Sequence, residues 1–185
     1  MTSIGHNRGP TIEAGGAWRR YAWKRARAEL LPKMPVEVVR MRVRRARELG
    51  IDYRAYAGIR AATGRDVIAL LFSDNALRLM RDSRIPADRA AHLGAVRCAD
   101  RLALVHPPHQ PQGVLDRNSV LFAVGCAPSA FAPWGEVRAR ILGLMGKLPA
   151  DGVVVIGETW AERDWCEAAR LAGFLTAERY FGDTR

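Results

Sequence analysis

Four strand-like segments with apolar centres most constrain what this chain can fold into. They are Val67–Phe72 (VIALLF), Arg101–His106 (RLALVH), Ser119–Gly125 (SVLFAVG) and Val153–Gly157 (VVVIG). A strand with one face in water alternates apolar and polar residues, whereas a strand apolar at successive positions is covered on both faces. Pro86 opens a helical pattern carrying Ala90, Leu93 and Val96 after the first run. Pro133 opens another, with Val137, Ile141, Leu144 and Leu148 on one face. Alternating strands and helices of this length call for parallel strands joined by crossovers. The expected fold class is therefore α/β, a small three-layer domain around a mostly parallel sheet of four to five strands.

The C-terminal part extends that pattern. Thr159 and Glu162 have the spacing of a capping box for a helix expected to run through Ala172 and close at Gly173. Phe174–Phe181 reads as an edge strand, and the Pro-rich PPHQPQG of residues 107–113 reads as a break in the chain. One alternative stays open. Ile68, Leu71, Phe72 and Leu79 also have helical spacing, so the run from Val67 can begin a helix reaching Met80.

The charge is distributed unevenly around this framework. Residues 1–65 hold 15 Lys/Arg against 5 Asp/Glu, while residues 66–185 hold 14 of each, so the net +10 of the chain sits in its first third. That asymmetry divides the chain into three expected segments: a disordered lead-in over residues 1–16, a basic helical segment over 17–65, and an α/β domain over 66–185. It also points to a polyanionic partner for the basic segment, with nucleic acid the leading candidate. Arginine outnumbers lysine 26 to 3, and the guanidinium fork suits phosphate oxygens and base edges.

Within the basic segment, Trp23 and Arg25 belong to a stretch that interleaves aromatics and cations, as stacking and phosphate contact both require. A helix follows from Pro35. Val36, Val39, Val43 and Ala46 make an apolar stripe on it, and Arg40, Arg44 and Arg47 make a basic ridge beside that stripe. Gly50 breaks the helix, and Asp52 is placed to cap a second one that begins at Tyr53 and Arg54 and stops at Gly64. From Arg42 to Ala61 this arrangement resembles the helix-turn-helix of bacterial DNA-binding proteins. The resemblance implies that Asp52, Tyr53, Arg54 and Gly58 face a DNA groove. Arg45 departs from the pattern, standing where an apolar residue is expected. Arg40, Arg44, Arg47, Tyr53, Arg54, Arg25 and Trp23 are the expected nucleic-acid-binding residues.

A second set of candidates follows from the sheet. In an open parallel sheet, ligands bind beyond the carboxyl ends of the strands. That rim is expected to carry Ser73-Asp74-Asn75, His106 to His109, Cys126 to Ser129, and Glu158-Thr159. Asp74, His106 and Cys126 would be catalytic there, a carboxylate, an imidazole and a thiol capable of acid/base and nucleophilic work. Each has a plainer structural role open to it: capping for Ser73, Asp74 and Thr159, and small-volume packing for Cys126. On this alternative reading the protein is a small α/β enzyme acting on an acidic substrate. A third reading is a protein-interaction module.

Several classes are disfavoured. No GxxxxGK[ST], GxGxxG or GxSxG occurs, which argues against the common nucleotide-binding loops and serine-hydrolase elbow. Cys98, Cys126 and Cys166 are odd in number and form no CxxC pair, so neither a disulfide framework nor a structural zinc is expected. No metal and no cofactor are expected. No apolar run reaches the ~18–20 residues of a bilayer span, so the expectation is a cytoplasmic protein without a membrane partner.

Overall fold

The structure, a computed structural model, describes Tyr21, Arg25 and residues 34–182. The lead-in over residues 1–16 lies outside the described residues. The chain divides into two compact units, residues 1–39 and 40–185. In the first, Tyr21 and Arg25 are helical and exposed, and residues 36–39 form the start of α1 (Val36–Glu48).

The second unit is a three-layer α/β fold, and its elements follow the sequence closely. After α1 come α2 (Tyr53–Thr63), β1 (Ala69–Ser73), α3 (Asp74–Leu77), α4 (Ala87–Ala95), β2 (Asp100–Val105), α5 (Pro111–Arg117) and β3 (Ala123–Cys126). They are followed by α6 (Trp134–Met145), β4 (Val153–Gly157), α7 (Trp160–Ala169), β5 (Gly173–Thr176) and α8 (Ala177–Phe181). All five strands are parallel and ordered β3-β2-β1-β4-β5. The open question at Val67 resolves to a strand, in which Leu71 stands between Leu102 of β2 and Val155 of β4.

Period-two alternation sorts the strand residues between two cores. Leu70, Phe72, Ala103, Val105, Val154 and Ile156 pack on one face against Ala46, Leu49, Tyr56, Ile59, Leu93 and Val114. Ala69, Leu71, Leu102, Leu104, Val153 and Val155 pack on the other against Val137, Ile141, Met145 and Trp165. Thus α1, α2, α4, α5 and α8 contribute to one face and α6 and α7 cover the other. The chain builds outward from β1 to β3, then crosses to the far side of β1 to add β4 and β5. The strand order therefore reverses between β1 and β4, the switch point where a doubly wound sheet leaves an open crevice.

Four local expectations need correction, and one is that the strand expected over Ser119–Gly125 begins only at Ala123 and ends at Cys126, because the chain before it turns with the Leu121 N–H bonded to the Asn118 carbonyl. The expected edge strand Phe174–Phe181 is the short strand β5 followed by α8, because Thr176 caps a new helix by accepting from the Arg179 N–H. That helix turns Tyr180 into the core, where its hydroxyl donates to the Leu49 carbonyl at 3.1 Å. The helix expected to end at Gly173 ends earlier, at a left-handed Arg170 with φ 54°. Its following N–H groups serve other partners, Leu171 bonding Cys166 and Ala172 bonding Val153. Finally, residues 111–117 form α5 inside the expected break; Pro111 occupies the first helical position, where its missing N–H costs nothing.

The body also draws in more of the chain than residues 66–185. From Ala46 to Ile59, the inward side chains of α1 and α2 belong to the same core as β1, β2 and β4. The turn between the two helices depends on Gly50, which has φ +69° and no room for a side chain: a Cβ there would stand 2.8 Å from His92 Nε2. Asp52 caps α2 as expected, accepting from the Ala55 N–H, and Gly64 closes it in the left-handed conformation. Arg45, the residue at odds with the helix-turn-helix pattern, fixes the hairpin to the sheet. Its Nε donates to Asp66 at 2.9 Å, and its two terminal nitrogens donate to the carbonyls of Val67, Arg97 and Cys98 and to Glu48. Tyr56 donates to the other Asp66 oxygen at 2.7 Å. Burial raises the Asp66 carboxyl, but the Tyr56 bond and Arg45 outweigh it and hold the group below its usual range.

Replacing Arg45 by Met is expected to lower unfolding free energy by about 1.5–3 kcal/mol, the range for hydrogen bonds to charged groups. Arg45→Lys should recover little, since one ammonium cannot span these acceptors; full recovery in a urea titration would refute the assigned role. A pH effect is also expected from His92, which packs against Tyr180 and Phe181 with ring centroids 4.9 and 5.3 Å away. Burial, with the Arg89 charge added, holds its pKa below the ordinary value. The unfolded chain then binds the extra proton first, so stability is full above about pH 6.5 and declines as pH falls toward the folded value. His92→Gln should flatten that slope in unfolding titrations; an unchanged slope would assign it to other groups.

Candidate functional site

The switch-point crevice opens at the carboxyl ends of β1, β2 and β4. It is a cleft of about 420 Å³, and its walls include Asp74 and Asn75 after β1, His106 and Pro107 after β2, and Thr159, Trp160, Glu162 and Trp165 after β4. Ser73 ends β1 and caps α3, accepting from the Ala76 N–H at 3.0 Å. That cap presents Asp74 on the rim as the first residue of α3.

Asp74 holds His106 at two points. Its Oδ2 accepts the His106 backbone N–H at 2.9 Å, and its Oδ1 lies 2.9 Å from His106 Nδ1. An ionised carboxylate only accepts, so in this pair Nδ1 carries the hydrogen and Nε2 of the neutral ring keeps its lone pair. The imidazole is further placed by Trp165, whose ring lies 6.2 Å away at an interplanar angle of 29°. Beyond these contacts His106 has no side-chain partner among the described residues, and its side chain is 34% exposed.

Glu162 supports the opposite wall. It is 1% exposed and completes a capping box with Thr159 at the start of α7. It accepts from the backbone N–H groups of Glu158 at 2.5 Å and Thr159 at 2.9 Å. Asn75 Nδ2 donates to its other oxygen at 2.7 Å, linking the β1 and β4 ends across the crevice. Gly157 makes this approach possible, because a Cβ there would lie 2.8 Å from Glu162 Oε2.

Cys126 does not line this cleft. It is exposed at the end of β3 and lies in an adjoining cleft of about 530 Å³ together with His106, His109, Gln110, Ser129 and Arg140. His106 and Pro107 belong to both clefts. Asp74 and His106 are thus in direct contact, while Cys126 shares a cavity wall with His106 without a hydrogen bond to it. Thr159 was legible in the sequence as a rim residue and a helix cap, and Glu162 only as its capping partner; nothing there signalled that Asn75 would reach Glu162 or that Trp165 would lie beside His106. Among the described residues no group of three or more His, Cys, Asp or Glu could hold a metal ion, and no helix is long and apolar enough to cross a membrane.

The basic residues lie apart from the strand-end loops. Arg40, Arg44 and Arg47 are exposed on α1, and the Arg44 side chain, 77% exposed, meets Glu48 at 3.9 Å. Arg54 is exposed and Tyr53 is 37% exposed at the start of α2. Asp52, expected to face a groove, is instead bonded to Arg179 at 2.8 Å, and that bond holds its carboxyl below the usual range. Arg25 is exposed, and Trp23 lies outside the described residues. Compared with known proteins, the chain matches no family model, no curated protein and no solved structure.

Proposed function

We propose that this chain is a small α/β enzyme with its active centre at the strand-end crevice, where His106 is the acid–base group and Asp74 positions it. The observation that carries this reading is the double grip of Asp74 on His106, which fixes the tautomer and leaves Nε2 for chemistry on the wall of a cleft. That is the role a buried carboxylate plays toward the histidine of a nucleophilic triad.

Strand order supports Cys126 as the nucleophile. Because β2 lies between β1 and β3, the carboxylate stands on one side of His106 and the thiol on the other. The two imidazole nitrogens face away from each other, so with Nδ1 engaged by Asp74, Nε2 turns away from the β1 side. In the reaction we propose, the Cys126 thiol gives its proton to Nε2 and the thiolate adds to an acyl carbonyl. The imidazolium returns the proton to the departing group, leaving a thioester on Cys126. Water, deprotonated by the same Nε2, then releases the acid and restores the thiol. The class of reaction is acyl transfer or hydrolysis.

A panel of p-nitrophenyl esters under single-turnover conditions tests this. The full chain should give a burst and an acylated Cys126 detectable by mass spectrometry. Cys126→Ala should abolish the burst, and His106→Gln and Asp74→Asn should slow acylation by about 10²–10⁴-fold. Absence of any burst, or unchanged rates in His106→Gln, overturns the assignment.

A second reading is supported by the arginine ridge: the chain also binds a nucleic-acid backbone through Arg40, Arg44 and Arg47, with Tyr53 and Arg54 beside them. Three exposed guanidinium groups on one helix, only one of them ion-paired among the described residues, supply positive charge that the described acidic residues do not compensate. Binding through three phosphates predicts a slope of about −2.7 for log K against log salt. Replacing all three arginines by Gln should remove that slope and weaken all sequences alike. Unchanged salt dependence in the triple variant, or no binding at low salt, refutes this reading.

A further inference from the structure

The two clefts that meet at His106 differ in the charge they offer. On the Asp74 side, the charged side chains among the described lining residues are carboxylates, Asp74 and Glu162, with no lysine or arginine. This inverts the sign of the whole chain, which is +10. Both groups act purely as acceptors. Asp74 takes the backbone N–H groups of Asn75 and His106 and the His106 ring. Glu162 takes those of Glu158 and Thr159 and the Asn75 amide.

Those bonds also consume the donors an anion would need. The N-terminus of α7, a helix of 10 residues, would ordinarily attract a phosphate or carboxylate. Here Glu162 occupies it from within. An anionic ligand would meet two charges of its own sign and find these backbone N–H groups already engaged. A cation would meet Asp74, with the buried charge of Glu162 behind the wall, and two indoles: Trp165 is buried in the wall, and Trp160, 62% exposed, stands where it can be met from solvent. Indole faces attract cations through the ring quadrupole.

We propose that this cleft binds the positively charged amine or guanidinium group of a substrate, neutralised by Asp74 and Glu162 and held against Trp160 and Trp165. The proposal rests on the reading of the crevice as the active centre: the cationic group is held on the Asp74 side while the reacting carbonyl lies on the Cys126 side. The expectation of an acidic substrate derived from the basic helical segment. That charge sits on α1, whereas the cleft itself carries the opposite sign.

Three probes of equal shape and different charge test the proposal on the full chain: benzylamine, benzyl alcohol and benzoate. Binding is followed by tryptophan fluorescence and by saturation-transfer NMR. Benzylamine should bind about tenfold more tightly than benzyl alcohol, with benzoate weakest, and added salt should weaken only the amine. Trp160→Ala, an exposed position that should fold normally, should weaken the amine about three- to fivefold. Asp74→Asn should erase most of the preference for the amine over the alcohol. Benzoate binding as well as benzylamine overturns the proposal, as does an amine preference that survives both substitutions, or failure of all three probes to bind. The outcomes separate from those of the ester assay. A lost cation preference with an intact Cys126 burst removes only this inference, whereas a retained preference with no burst leaves a cation-binding cleft and removes the acyl-transfer reading.

Discussion

The guanidinium of Arg45 is the point on which the second unit depends. Its donors meet Asp66 and the carbonyls of Val67, Arg97 and Cys98, all of which lie just before β1 or β2. Val67 is buried where the chain enters β1, and its carbonyl without a partner would cost about 1–3 kcal/mol, while the Arg97 and Cys98 carbonyls lie at exposed positions before β2. One side chain from α1 satisfies them together. The α1–α2 hairpin is thereby secured at the amino ends of the strands, and the opposite rim stays open.

Keeping that rim open matters because the chemistry lies there. A parallel sheet brings the loops after every strand to one edge, and the reversal between β1 and β4 separates two of them into a crevice. The polar groups around the crevice are locked before any ligand arrives. Ser73 caps α3 and so sets the position of Asp74; Thr159 and Glu162 close α7; Asn75 joins the two sides. His106 is held by backbone, ring and stacking contacts at once. Such preorganisation lowers the reorganisation required at the moment of reaction.

The aromatic cluster at the other end of the chain has a complementary task. Tyr180 and Phe181 meet edge-on with centroids 4.9 Å apart, and both contact Phe72 and His92. The buried Arg89 lies over the Phe181 ring at 4.2 Å, a placement that lets a cation sit in an apolar layer. Burial raises the Tyr180 pKa, and its hydroxyl stays protonated to donate to Leu49. The short helix α8 therefore completes the core from the C-terminal side.

The sequence by itself determined the layers. Short apolar runs bounded by turn residues read as strands covered on both faces, and this places β1, β2 and β4 in a buried sheet; the run from Val67 also fits helical spacing, and the pairing of β1 with β2 and β4 settles it as a strand. Caps were legible for the same local reason: Asp52, Ser73 and Thr159 bond backbone groups within three residues, so their roles follow from spacing. The rim followed as well, since Asp74 and His106 come just after a strand and Cys126 ends one. Tertiary structure alone decided which of them touch. The order β3-β2-β1-β4-β5 sets Asp74 beside His106 and puts Cys126 on the far side, and no local pattern encodes strand order. It also decided that Arg45 faces inward and that Tyr180 turns into the core, because both depend on partners far along the chain: Cys98 for Arg45 and Leu49 for Tyr180. A hydrogen bond that spans 131 positions leaves no periodicity to read.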